Sequence, residues 1–334
     1  MRFAPLSLSL IALCMAVSSH AATPPAPPLT SGAAAQALYA QWFVPQSAQA
    51  STSAQQLQSQ LQQYCTGTAS LEKVRGDFTQ ASQDWERLSA VAMGPQIEHR
   101  TARMVDFQPM RLPLLKAALR KAPKDLAAME TIGAPAKGFP ALEHLLWVDV
   151  AAPKTPTCQY ARLVAADLTQ ELQELHQANQ AAANFTALDF DSTAEFLNQW
   201  IGGVERLRWQ AMEKPLRSAT ASKPAQVTRA ASEGTLTSWK AQWSGLRTLA
   251  IGNPQMPDNV SLARLVEVQG WQHLADELRA AVQQADSAMQ SIDKVSLNAI
   301  TPANKALKQL KHLVENDVAL SLDVTIGFSD ADGD

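Results

Sequence analysis

"LEKVRGDFTQASQDWERLSAVAMGP", residues 71–95, decides the fold class. Leu71, Val74, Phe78, Ala81, Trp85, Leu88 and Ala92 follow one another by steps of three and four. That spacing puts them on one stripe of an α-helix, which Gly94-Pro95 is expected to end. Trp271, Leu274, Leu278, Ala281, Ala285, Ala288 and Ile292 repeat the pattern near the other end of the chain. Further helical faces are expected over 34–64, 111–121, 159–178, 194–213 and 303–320, the last opened by Thr301 as N-cap and Pro302 as first helical residue. No convincing run of alternating strand residues interrupts them, so the chain reads as all-α, built from helical bundles.

The chain also resembles itself. "WERLSAVAMGP" (85–95) and "WSGLRTLAIGNP" (243–254) share Trp, Leu, Ala and Gly in register, and "LKAALRKA" (115–122) then aligns with "LADELRAA" (274–281). Two matches in the same order suggest an internal duplication. The expected organisation is bilobal, with a helical lobe over 32–185, a related one over 186–334 and a functional site in the cleft between them. Trp85 and Trp243 should then hold equivalent core positions. The stretch SATASKPAQ (218–226), with Pro and small polar residues, reads as a loop inside the second lobe.

The amino terminus has a different character. Arg2, the apolar run Leu6 to Val17 and Ser19-His20-Ala21 before Ala22 read as a secretory signal peptide over 1–21, and TPPAPPLTS belongs to a Pro-rich tether over 22–31. A lipid anchor at Cys14 is the lesser alternative, because Leu13 stands where that processing wants a small side chain. The implied location is the periplasm or cell envelope. Cleavage leaves Cys65 and Cys158, an even pair in an oxidising compartment, and one disulfide between them is expected. A net charge of −3 gives no basic surface for nucleic acid, and no later segment is long and apolar enough for a membrane helix.

"GFPALEHLLW" (138–147) holds the candidate chemistry. Pro140 suits an early helical position, which would place Glu143 in the first turn, where the helix dipole favours its charge. Surrounded by Leu142, Leu145, Leu146 and Trp147, that carboxylate must be solvated at a cleft or paired.

This segment resembles the signature of the imelysin-like family, in which Gly-x-His-x-x-Glu, or a degenerate Gly-x-Pro-Ala-x-Glu form, stands at a helix start. TIGFSDADGD (325–334) resembles the family's closing segment, and Trp85-Glu86-Arg87-Leu88 and Cys158-Gln159-Tyr160-Ala161 fall where similar segments lie in its members. The resemblance implies an exported, all-helical, bilobal protein associated with bacterial iron uptake, with Gly138, Pro140, Glu143, His144 and Glu86 in or near its site. It also implies Glu86 and Glu143 as weak metal candidates, iron or another divalent metal as the ligand, and other envelope iron-uptake components as partners of a monomeric chain.

The departures from the family pattern bear on activity. Pro140 stands where the metallopeptidase-like form has His, and Ser89 stands where iron-transport relatives have a second Glu three residues after the one matched by Glu86. His144 is adjacent to Glu143 and projects about 100° round the helix from it, so it does not replace the missing ligand. No H-E-x-x-H occurs. His273 with Glu277 reads as an exposed pair one turn apart, and Asp330, Asp332 and Asp334 as an acidic terminus with some capacity for a hard cation. For Glu143 a capping or Arg-pairing role weighs equally with a binding role. The expected function is a non-enzymatic binding or accessory protein of iron uptake, with a metallopeptidase and a structural or partner-binding module as alternatives.

Overall fold

A computed structural model of the chain describes residues 31–184, 192–253, 255–256 and 259–327. The expected signal peptide with Cys14, nearly all of the tether, the lobe boundary at 185/186 and the aspartates 330, 332 and 334 lie outside the described residues. Helices account for the regular structure. Among the described residues, extended pairing is confined to the isolated bridges Thr220 with Lys223 and Asn253 with Met256.

The helices that frame the molecule and its site are α1 (Val44–Thr66), α2 (Leu71–Leu88), the short α3 (Gly138–Glu143), α4 (Pro156–Ala183), α5 (Ser192–Glu205), α6 (Thr235–Ile251), α7 (Gln272–Gln290) and α8 (Leu297–Leu313). In the first half of the chain α1 packs on α2 and α4, and α3 lies on α4; in the second, α6 packs on α5 and α7, and α8 on α5 and α7. α2 and α6 join the halves. One continuous hydrophobic cluster runs through both, with Trp85 and Trp243 buried in it. Among the described residues no helix is long and apolar enough to cross a membrane.

Local chemistry explains most helix ends. Ser70 opens α2 by accepting from Lys73 N, and Thr155 opens α4 by accepting from Cys158 N, with Pro156 in the first turn where its missing N–H costs nothing. Cys65 near the end of α1 and Cys158 at the start of α4 form the expected disulfide, with Cα atoms 5.7 Å apart.

Four local expectations are corrected. α2 stops at Leu88, so Ala92 is outside it, and Gly94-Pro95 begins the short helix Pro95–Glu98 instead of ending α2. Gly252 directly follows α6. The two aligned glycines therefore do not end equivalent helices and lend no support to the duplication. α8 begins at Leu297 with Ser296 as N-cap; Thr301 is inside it and donates its hydroxyl to Leu297 O, and Pro302 is tolerated in the second turn. Trp271 is 56% exposed, because the buried face of α7 is centred on Ala275, Leu278, Val282, Ala285 and Met289, one position round from the expected stripe. Glu143 is the last residue of α3, not a first-turn residue.

The packing between the halves is unusually close at two glycines. A Cβ on Gly245 of α6 would lie 2.4 Å from the carbonyl oxygen of Arg87, and one on Gly203 of α5 would lie 2.3 Å from that of Ala90. No other residue lets those backbones approach so far.

Candidate functional site

The site forms where the two halves meet. α2 brings Glu86, the end of the Thr101–Val105 turn brings Asp106, and α3 brings Glu143. From the second half come the 227–234 loop, carrying Arg229 and Ser232, and α6, carrying Gln242. Gly138 starts α3 at φ +70, and a Cβ there would lie 2.3 Å from the Val105 carbonyl oxygen. The Gly of the motif is thus needed twice, for its backbone conformation and for contact with the segment that carries Asp106. Lys137 precedes it and pairs with Asp167 on α4 at 2.9 Å, and Tyr160 donates to Ala136 O at 2.6 Å, which fixes α3 against α4.

Arg229 is the centre of the arrangement. Its side chain is 1% exposed, and its two terminal nitrogens donate to the two oxygens of Asp106 at 3.1 and 2.6 Å, the planar fork geometry that guanidinium and carboxylate favour. The nitrogen nearer Asp106 Oδ2 also lies 3.3 Å from Glu86 Oε1, and the guanidinium sits 5.1 Å from the Phe139 ring. Burial works against its charge, and the attraction of Asp106 and Glu86 outweighs that penalty, so its pKa is raised. Arg229 occupies left-handed backbone at φ +59, stabilised by Gly234 N donating to Arg229 O and Thr235 Oγ1 donating to Thr228 O.

The carboxylates differ in how they are satisfied. Glu143 Oε1 accepts from both Ser232 N at 2.9 Å and Ser232 Oγ at 2.7 Å, so it ties down the Arg229 loop from the other side. Glu86 accepts from Gln242 Nε2 at 2.7 Å, but Asp106 takes the better share of Arg229. Burial therefore dominates at Glu86 and pushes its pKa up to about 7, against the pull of Arg229. The sign for stability follows. Between about 4.5 and 7 the folded state holds a proton on Glu86 that the unfolded state has lost, so this group's contribution falls as pH rises through that window. Glu86→Gln is expected to flatten the decline of the melting temperature between pH 4.5 and 7; an unchanged pH profile refutes the assignment.

Beside the cluster lies a cleft of about 310 Å³, with Glu86, Asp106, Arg206 and Gln242 among its walls. Two π-helical segments adjoin the region, Arg206–Glu213 after α5 and His144–Val148 after α3. Such widened turns frequently accompany functional sites.

The family model described as Imelysin matches residues 43–319. The chain belongs to the imelysin family. An imelysin-like protein of Psychrobacter arcticum has a solved structure with TM-score 0.75 at 17% identity, covering 91% of this imelysin-family chain and 100% of its own. A protein of Parabacteroides distasonis, described as a candidate iron-regulated protein A precursor, gives TM-score 0.73 at 12% identity over 90% of this chain and 97% of its own. At those identities the likeness establishes the fold. No curated protein matches the chain with significance.

Of the sequence candidates in this imelysin-family chain, Glu86 and Glu143 reach the same junction. Gly138 and Pro140 serve as buried structural residues of α3. His144 turns away, its Nε2 lying 2.9 Å from Asp149 Oδ2. His273 and Glu277 are both exposed on α7. Sequence reasoning missed Arg229, Asp106 and Ser232: a single Arg in a polar loop carries no signal until the fold sets it against two acids. The donor set does not suit a metal ion directly, since Asp106 and Glu86 face a guanidinium and Glu143 faces Ser232. Among the described residues no group of three or more His, Cys, Asp or Glu is arranged to hold one.

Proposed function

We propose that this chain is a non-enzymatic binding or accessory component of bacterial iron acquisition, exported to the periplasm with its signal peptide cleaved after Ala21. It acts as a monomer alongside other envelope iron-uptake components. The observation that carries the non-enzymatic reading is Arg229, whose guanidinium already engages Glu86 and Asp106, the acids at this junction that could otherwise serve a hydrolytic metal. Pro140 supports it, because a catalytic zinc requires about three protein ligands and an open position for water, and the motif's imidazole is missing. The iron context is supported by family membership and by the Parabacteroides distasonis neighbour, whose description names it iron-regulated.

Two measurements test this. Purified mature protein is expected to leave unstructured peptides intact with or without added zinc. Cleavage that appears with zinc, disappears with chelator and is abolished by Glu143→Ala in a folded protein establishes the metallopeptidase alternative. A strain lacking the gene is expected to accumulate less iron when iron is limiting, and undiminished accumulation removes the iron role.

A further inference from the structure

The cleft at the junction contains a second arginine that the Arg229 cluster does not use. Arg206 stands at the change from α5 to the π-helical Arg206–Glu213 segment. One turn earlier Gly203 holds α5 against the Ala90 carbonyl, and that contact sets Arg206 alongside the end of α2. Its described hydrogen bond is a long one, from Nη2 to Ala90 O at 3.3 Å. No carboxylate lies within ion-pair distance of it among the described residues, although other arginines at this end of the second half, Arg208 and Arg217, are paired. Burial holds its pKa below the ordinary value with no compensating anion, while a guanidinium remains protonated throughout the working range.

Arg206 is half-buried, its remaining donors open to the cleft and its one described partner a neutral carbonyl, so its charge is available to an anion that enters there. The two acids on the cleft wall are turned to Arg229 and do not supply that anion. Around Arg206 the cleft offers Ser89, Gln108 and Gln242, which donate or accept hydrogen bonds without adding charge. Its volume of about 310 Å³ suits a small molecule and excludes a folded partner.

We propose that this cleft binds a small organic carboxylate, with Arg206 pairing with one carboxylate group and the neighbouring hydroxyl and amides taking its remaining polar groups. The assignment deepens the binding reading above and rests on it for location only. Guanidinium and carboxylate match as planar forks, which favours a carboxylate over a spherical anion. The Ser89 hydroxyl and the amides of Gln108 and Gln242, which already hold Asp106 and Glu86, suit a ligand that carries hydroxyl groups beside its carboxylate.

The test uses purified mature protein, with citrate, succinate, inorganic phosphate and uncharged glycerol as probes in calorimetric titration. Citrate is expected to bind and glycerol not to bind. Arg206→Gln should weaken citrate at least tenfold, and Arg206→Lys, which keeps the charge but loses the fork, should fall between. Ala211→Leu narrows the cleft without touching a charge and should also weaken citrate, which covers the case of a poorly folded Arg206 variant. Absence of citrate and succinate binding, citrate binding unaffected by Arg206→Gln and Ala211→Leu, or equally tight phosphate binding overturns the proposal. Arg206-dependent citrate binding in a protein whose loss leaves iron accumulation unchanged defeats the iron reading alone. An iron defect without Arg206-dependent binding defeats the carboxylate site alone.

Discussion

Arg229→Met is expected to lower the free energy of unfolding by about 3–5 kcal/mol, because it leaves buried carboxylates without their cation. Asp106 loses both of its guanidinium bonds, and Glu86 loses the attraction that opposes its desolvation. The loop loses its anchor between the Ser232 contact and the Phe139 ring. Urea titration followed by circular dichroism measures the loss. Adding Glu86→Gln and Asp106→Asn to the same chain should recover a substantial part of it, since amides bury at lower cost than unpaired charges. A loss under about 1 kcal/mol would show that water, not Arg229, satisfies these acids.

Replacing both disulfide cysteines, Cys65→Ser with Cys158→Ser, is expected to destabilise the protein by about 2–4 kcal/mol. The bridge joins residues 93 apart in sequence, so its removal restores considerable freedom to the unfolded chain. It also releases the end of α1 from the start of α4, where Lys154 N donates to Cys65 O beside the bridge. Alkylation of the unreduced mature protein should label neither thiol, and labelling of both refutes the bridge in solution.

The parts of the fold legible in sequence were those governed by short-range pattern. The stripe from Leu71 to Leu88 is the core face of α2, and the expected segment 111–121 corresponds to the helix Leu112–Lys121. Misreadings arose where a tertiary contact overrode the local pattern. Apolar spacing continues to Ala92, but the chain leaves the helix after Leu88, where the carbonyls of Arg87 and Ala90 meet the glycines of α6 and α5. Thr301-Pro302 imitates a helix start, yet Ser296 caps first and Thr301 bonds back to Leu297. Trp271 fits the α7 stripe by spacing, but its place at the helix start leaves it outside the packed surface.

The site was legible in its acids and not in its cation. Glu143 stood out because a carboxylate among leucines requires an explanation, and Glu86 because its segment resembles a family motif. Arg229 lies more than eighty residues beyond Glu143, in a stretch whose composition reads as solvated loop. Nothing local distinguishes an arginine destined for burial from one that stays in water. Arg206 is concealed for the same reason.

The glycine seam between α2 and the helices α5 and α6 bears on the kinetics of any molecule that enters the adjoining cleft. Side chains at an ordinary interface change rotamer and let two bodies rock, but backbone pressed against backbone has no such slack, and packed interiors resist compression. A clamshell movement would have to pull the Arg87 and Ala90 carbonyls off Gly245 and Gly203 together. A ligand of the proposed cleft is therefore expected to meet a fixed receptacle, with an association rate that rises in proportion to ligand concentration and lacks the plateau that a slow closing step imposes.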